Sequence, residues 1–329
     1  MRVAHKELDP FPAFLIVRQL SLATFLKSGP TVRPAEAKLL QHLALTTSIP
    51  VPRVLSWARD SATGHWGIEM ERVDAGAIPL DAVYDDLCRA AKTDLTRQLR
   101  WFLEQLRGRS GSGSGRCRSR AGWIGSFDGR LGGDRFLDLV AGARGEAAPH
   151  WSEGEFLADV ADAVRRRGPP RSVWSDTVAR LLRDLPRWRR EQASSLRSTK
   201  DENSSSSSSS LLPSSYSLSL LPVPSTRGSI IATIGGEGGE EEGSRGKFVL
   251  THADLTPEHI LVRYDGYAIE IVGIVGWGQA GYYPEYYEYV KMNFWDAESR
   301  FIGDRVADRV LKPWLPELSV FLHARDIIW

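Results

Sequence analysis

The stretch that most constrains this chain runs from Thr251 to Gly281, THADLTPEHILVRYDGYAIEIVGIVGWGQAG. Ile260 to Tyr264 is apolar and β-branched, Asp265-Gly266 reads as a two-residue hairpin turn, and Tyr267 to Val275 is a second β-rich run. The pattern predicts a β-hairpin with Asp254 on the loop that enters it and Gly276 where its second strand ends. Pairing the two arms brings that loop and that turn into one cleft, although they are far apart along the chain.

The order of residues is similar to a phosphate-transfer template, H-x-D-x-x-x-x-N followed by a strand ending in a second Asp. There the first Asp orients or deprotonates the acceptor hydroxyl, while the Asn and the second Asp hold Mg²⁺. This chain keeps His252 and Asp254 and carries His259 and Gly276 at the two metal positions. With Pro257, Ile260-Leu261-Val262, Gly273-Ile274-Val275, Trp277, Ala280-Gly281 and Tyr283-Pro284-Glu285-Tyr286-Tyr287-Glu288-Tyr289, it resembles the aminoglycoside phosphotransferase family. The likeness continues upstream. Phe25-Leu26-Lys27 looks like that family's strand with a phosphate-binding lysine, and Pro34-Ala35-Glu36-Ala37 like the helix bearing its glutamate partner. Segments 48–54 and 67–73 resemble small-lobe strands and the connection between lobes, and 124–129 a loop of the large lobe.

The resemblance implies an α+β, bilobal protein-kinase-like fold, with a small β-rich N-lobe and a larger, mainly helical C-lobe. It also implies ATP and Mg²⁺ as cofactors, Lys27 on the phosphates, Glu36 holding Lys27, Asp254 as catalytic base, and a small-molecule acceptor. Each residue has a plainer reading beside it. Asp254 alone would be a loop-capping carboxylate and Lys27 alone a solvated lysine. His252 suits an internal prop of the loop, and the aromatics after Trp277 suit core packing.

Two departures bear on activity. Mg²⁺ prefers hard oxygen ligands, so His259 is a poor replacement for an asparagine carbonyl, and Gly276 offers no side chain at all. If the lost metal contacts supplied several kcal/mol to the transition state, the rate falls by about 10³ or more at about 1.36 kcal/mol per tenfold. Residues 1–26 also contain no glycine, so no Gly-rich turn is available to approach phosphates through backbone N–H groups. Three readings stand. The first is a catalytically impaired family member or pseudoenzyme. The second is an active ATP-dependent phosphotransferase whose metal is held by a displaced carboxylate such as Asp265 or Glu258. The third is a non-catalytic interaction protein or a decaying gene product.

Composition narrows the partners. A net charge of +1 over 329 residues lacks the basic excess of a nucleic-acid binder, and the arginine clusters at 107–120 and 165–171 read as solvated or loop surface. No run of 18 apolar residues suggests a membrane span, and Cys88 and Cys117 are too few for a disulfide scaffold, so a reducing, cytoplasmic location is expected. Cys88 and Cys117 read as a small buried residue and a loop thiol.

The expected organisation is a small lobe over 1–73, C-lobe helices over 74–192 with a Gly/Ser/Arg loop at 108–122, an insertion at 193–246, and the catalytic hairpin with closing helices over 247–329. The two interruptions are low in complexity, the second containing seven consecutive serines, and neither can bury enough apolar surface to offset chain ordering, so both read as disordered. Helical spacing is expected for Glu153 to Arg166 and for Ser175 to Leu185, the latter stopping before Pro186. Closing helices over Asp296 to Ala324 are expected to be interrupted at Pro313 and Pro316.

Overall fold

The computed structural model describes residues 15–108, 120–130, 149–203, 248–294 and 298–328. The chain divides into one unit of Met1–Pro186 with Ser244–Trp329 and a second of Arg187–Gly243. In the first unit, β1 (Ile16–Gln19) and β2 (Thr24–Gly29) form an antiparallel hairpin. After α1 (Pro34–Thr46), β3 (Val54–Arg59) and β4 (Trp66–Glu71) complete a sheet of order β1-β2-β4-β3. Proline at the start of α1 costs nothing there, because the first N–H groups of a helix have no intrahelical partner. The face of α1 bearing Ala37, Leu39, Leu40 and Leu43 is buried, and Val32, Ala37 and Ile68 form a core with Trp57, Trp66 and Met70 against it.

The second, mainly helical part begins with β5 (Ile78–Pro79) and α2 (Arg89–Leu106). Ala91, Leu95, Leu99, Leu103 and Leu106 recur at three- and four-residue spacing and are all buried. Burying each such leucine contributes about 1.5–3 kcal/mol, enough to fix which face of α2 turns inward. Short strands β6 (Arg120–Ala121) and β7 (Gly125–Ser126) follow. Next is α3 (Glu153–Arg167), whose Phe156, Leu157, Val160, Ala161 and Val164 are fully buried as their spacing predicts. Its N-cap Ser152 accepts from the Glu155 N–H, and arginines fill the last turn, where the helix dipole favours positive charge.

Helix α4 (Val173–Asn203) does not stop before Pro186 but continues through it, into the stretch read as an insertion. Proline breaks a helix by removing one N–H and crowding the preceding turn; here Val178, Leu182 and Leu185, all buried, hold the turns ahead of it. In the second unit the described part is the remainder of that helix, where Arg187 pairs with Glu191 one turn on. The serine tract, the Gly/Glu stretch, Cys117 and most of the 108–122 loop lie outside the described residues.

Strand β8 (Phe248–Thr251) is buried along its length and pairs with β11 (Gly281–Tyr283), which also pairs with β7. Between them β9 (Ile260–Tyr264) and β10 (Ile269–Ile274) form the anticipated hairpin, with β5 on its other edge. Its connection is not a two-residue turn. Tyr264 pairs with Ile269, and the Asp265 carboxylate accepts from the Tyr267 and Ala268 N–H groups, so a wider side-chain-closed loop replaces the tight one. Gln98 on α2 anchors the hairpin, donating to the Ile269 carbonyl and accepting from the Ile271 N–H.

Helices α5 (Tyr287–Met292), α6 (Arg300–Gly303), α7 (Val306–Val310) and α8 (Leu315–Ile328) close the unit. Pro316 lies in the first turn of α8 and opens it rather than interrupting it. Tyr282, Tyr283, Tyr286, Tyr287 and Tyr289 are among the most deeply buried large side chains, as the core reading predicts. Arg107 departs from the solvated reading of its cluster. It is buried, donating to the Glu285 carbonyl. Cys88 is exposed, contrary to a buried thiol, and its sulfur caps α2 by accepting from the Ala91 N–H. No described helix is long and apolar enough to cross a membrane.

Candidate active site

The loop after β8 is held from beneath by one carboxylate. Ala253 has φ 62, a left-handed conformation that costs an L-residue about 1–2 kcal/mol, and the buried Glu288 accepts from the His252 N–H at 2.6 Å and the Ala253 N–H at 3.3 Å. Burial pushes the Glu288 carboxyl up to about 7, against those two N–H donors and the nearby Arg107 and Lys291. His252 is also buried. Its Nδ1 accepts from the Asp254 N–H, so its Nε2 carries the proton and donates to the Val275 carbonyl at 2.9 Å. Burial, with His259 and Lys27 nearby, pushes its pKa down to about 3. A neutral ring fixed at both nitrogens is suited to bracing the loop rather than carrying protons.

Asp254, His259 and Gly276 come together as the hairpin requires. The Val275 N–H bonds to the His259 carbonyl, closing the hairpin base. His259 Nδ1 donates to the Asp254 carbonyl at 2.8 Å and lies 3.6 Å from the Asp254 carboxylate. Gly276 has φ 83, and a Cβ built there would lie 2.6–2.7 Å from three atoms of the His259 ring. The two substituted positions are therefore packed against each other, and the imidazole fills the space in which any side chain at 276 would begin.

Lys27 and Glu36 meet as the family resemblance implies. Lys27 Nζ lies 2.6 Å and 2.8 Å from the two Glu36 oxygens, with both side chains largely buried. Gly278 lets the turn after β10 rest on this pair, since a Cβ there would be 3.2 Å from Lys27 Nζ. Gly273 does the same for the connection between lobes, because a Cβ at that position would fall 2.7 Å from Val73 Cγ1. Lys27, Glu36, His259 and Gly276 line one cleft of about 420 Å³, together with apolar side chains and the charged Glu71, Arg72 and Asp74.

These donors do not fit Mg²⁺. His259 presents nitrogen and has its Nδ1 committed to a carbonyl, Gly276 presents nothing, and among the described residues no group of three or more His, Cys, Asp or Glu is placed to hold a metal. Neither substitute carboxylate reaches the cleft: Asp265 closes the hairpin loop at its exposed tip, and Glu258 is exposed and not part of the cleft wall. Glu288 and Gly278 were not singled out as site residues by the sequence. The signal for Glu288 was an acidic residue within a run of buried tyrosines.

A model described as the phosphotransferase enzyme family (APH) matches residues 23–318. No curated protein matches the chain. Among solved structures, a GDP and kanamycin complex of APH(2")-IIia is 12% identical, with 93% of this chain and 78% of that chain covered at a TM-score of 0.48. An apo thermostable mutant of the aminoglycoside phosphotransferase APH(4)-Ia is 14% identical, with 92% of this chain and 77% of that one covered at a TM-score of 0.47.

Proposed function

Because the chain belongs to the phosphotransferase enzyme family, we propose that it is a catalytically impaired member with a kinase-like fold, a pseudoenzyme that keeps the cleft between the lobes but has lost the means of holding the donor's metal. In this reading residues 1–73 are the small lobe, 74–192 and 247–329 the large lobe, and 193–246 an insertion. The observation that carries the proposal is the contact between His259 and Gly276, where an imidazole fills the room a second metal-binding carboxylate would need.

The remaining parts define what an active relative would use. Asp254 is the candidate base, presented by a loop that His252 and Glu288 brace, and Lys27 is the candidate phosphate contact, oriented by Glu36. When bound, Mg²⁺ would offset phosphate charge, but the residues present supply no oxygen set for it. Retention of Asp254 and of the Lys27–Glu36 pair supports a second reading, an active ATP-dependent phosphotransferase acting on a small-molecule hydroxyl. Incubation of the full chain with radiolabelled ATP, Mg²⁺ and a panel of aminoglycoside and other polyol acceptors separates the two. The proposal expects no transfer above that of an Asp254→Asn variant, whereas acceptor-dependent transfer lost in that variant establishes the second reading.

A further inference from the structure

A second cavity, of about 280 Å³, opens between the C-terminal part of α2 and the end of α7, and it shares no lining residue with the cleft that holds Lys27 and His259. We infer that it is a separate binding site for a small organic molecule bearing two anionic groups, phosphate or carboxylate, on a short carbon skeleton. Its wall carries Arg100, Arg107, Arg309 and Lys312 against the carboxylate of Glu104, a net of +3. The whole chain has a net charge of only +1, so this concentration of one sign is local. Like charges gathered around a concave space focus an attractive field on an anion that enters it.

Neutral groups place these cations without cancelling them. Arg100 donates from Nε and Nη2 to the Arg309 carbonyl in the last turn of α7. Lys312 Nζ lies 4.1 Å from the centre of the Trp314 ring, and the buried Arg107 donates from Nη2 to the Glu285 carbonyl. Counting Glu285, whose carboxylate lies 3.9 Å from Arg107 Nη1, lowers the net to +2. Glu288 also faces Arg107 but is committed to the His252 and Ala253 N–H groups. Asp304 feels Arg309 but is already paired with Lys92 at 2.7 Å.

The spacing along α2 sets the shape of the occupant. Arg100 and Arg107 stand two helical turns apart, about 10 Å along the axis. Leu103 lies between them on the same face, and Val310 and Leu311 add apolar surface from the second element. A molecule with an anionic group at each end sets both charges against cations and lays its carbons on Leu103, whereas a lone inorganic ion meets one end only. Arginine suits such a ligand because its planar fork matches the oxygens of a phosphate or carboxylate two at a time. A volume of about 280 Å³ sits at the lower edge of small-ligand sites, about 300–1,000 Å³, and limits the occupant to a compact molecule.

Calorimetric titration of the full chain with fructose bisphosphate, citrate, inorganic phosphate and fructose tests the inference, the first two separating a phosphate from a carboxylate ligand. One of those two is expected to bind at least about tenfold more tightly than inorganic phosphate, and fructose not to bind. Arg309→Gln with Lys312→Gln should weaken that binding by about tenfold or more. Both side chains are exposed, and the Arg309 group that Arg100 holds is main chain, so the variant should keep the parent's unfolding midpoint. Glu104→Gln removes the carboxylate from the cavity wall and should tighten binding by about twofold or more. Inorganic phosphate bound as tightly as either probe, binding of neither, or binding that these variants leave unchanged overturns the inference.

Discussion

The His259 imidazole and Gly276 form a complementary pair: the ring occupies the space directly over the glycine Cα, within 2.7 Å of where a Cβ would stand. A side chain cannot enter at 276 unless the ring leaves, so the two positions are energetically coupled.

That coupling predicts strong non-additivity. Gly276→Asp alone should destabilise by about 2–4 kcal/mol, combining a left-handed φ of 83 with overpacking against the ring. Combined with His259→Asn, the cost should fall to about 1–2 kcal/mol, the left-handed part alone. A double-mutant cycle from urea unfolding should give a coupling of about 1 kcal/mol or more. Additive effects would mean the ring is not held over the glycine.

The Lys27–Glu36 pair should behave as a buried ion pair. With side-chain exposures of 12% and 5%, Lys27→Met or Glu36→Gln alone leaves one uncompensated charge and should cost about 2–4 kcal/mol, at or below the usual figure because a little solvent remains. Lys27→Met with Glu36→Leu should recover most of the loss, since apolar replacement of a whole buried pair is often neutral. Equal losses in single and double variants would show that packing, not charge, sets the cost.

Opposite pKa shifts under the catalytic loop make a pH prediction. His252 falls from 6.5 to about 3, so from about pH 3 to 6.5 the unfolded chain binds more protons there and stability rises with pH. Glu288 rises from 4.5 to about 7, so from pH 4.5 to about 7 the folded chain holds more protons there and stability falls with pH. The two slopes oppose each other between pH 4.5 and 6.5. Glu288→Gln keeps an acceptor oxygen for the His252 N–H but not for the Ala253 N–H, a loss that does not vary with pH, and it removes the falling slope. Its stability should therefore climb more steeply than the parent's over that window, by up to about 1.4 kcal/mol per pH unit. Parallel curves in urea unfolding at several pH values would refute the assignment.

Much of the candidate site was legible through the family resemblance, whose motif residues stand at fixed offsets within regular elements. Lys27 on a strand and Glu36 in the first turn of the next helix meet because those elements pack, and the hairpin from Ile260 to Ile274 carries the Asp254 loop to the Gly276 turn. Buried helical faces such as Phe156 to Val164 followed from periodicity. What escaped the sequence depends on tertiary neighbours. Nothing in the chain's order says that the replacements at 259 and 276 touch, that Glu288 is a buried brace rather than part of a Tyr-rich marker, or that Arg107 is drawn inward to Glu285. The hairpin turn was misread because Asp265 closes its loop through side-chain bonds to Tyr267 and Ala268. Pro186 was misread because tertiary burial of neighbouring turns outweighs a local helix-breaking preference.

Thermal unfolding of the full chain with ATP, in the presence and absence of Mg²⁺ and beside a nucleotide-free Mg²⁺ control, reads out whether the cleft holds a metal with its nucleotide. A ligand at about 100 times its dissociation constant stabilises the fold by about 2.7 kcal/mol, a readily seen shift in Tm. On the proposed reading, in which positions 259 and 276 no longer hold a metal, the predicted result is the same Tm with ATP whether or not Mg²⁺ is added. A shift that appears only when Mg²⁺ and ATP are present together would restore a working metal site to this cleft and rule out the pseudoenzyme reading.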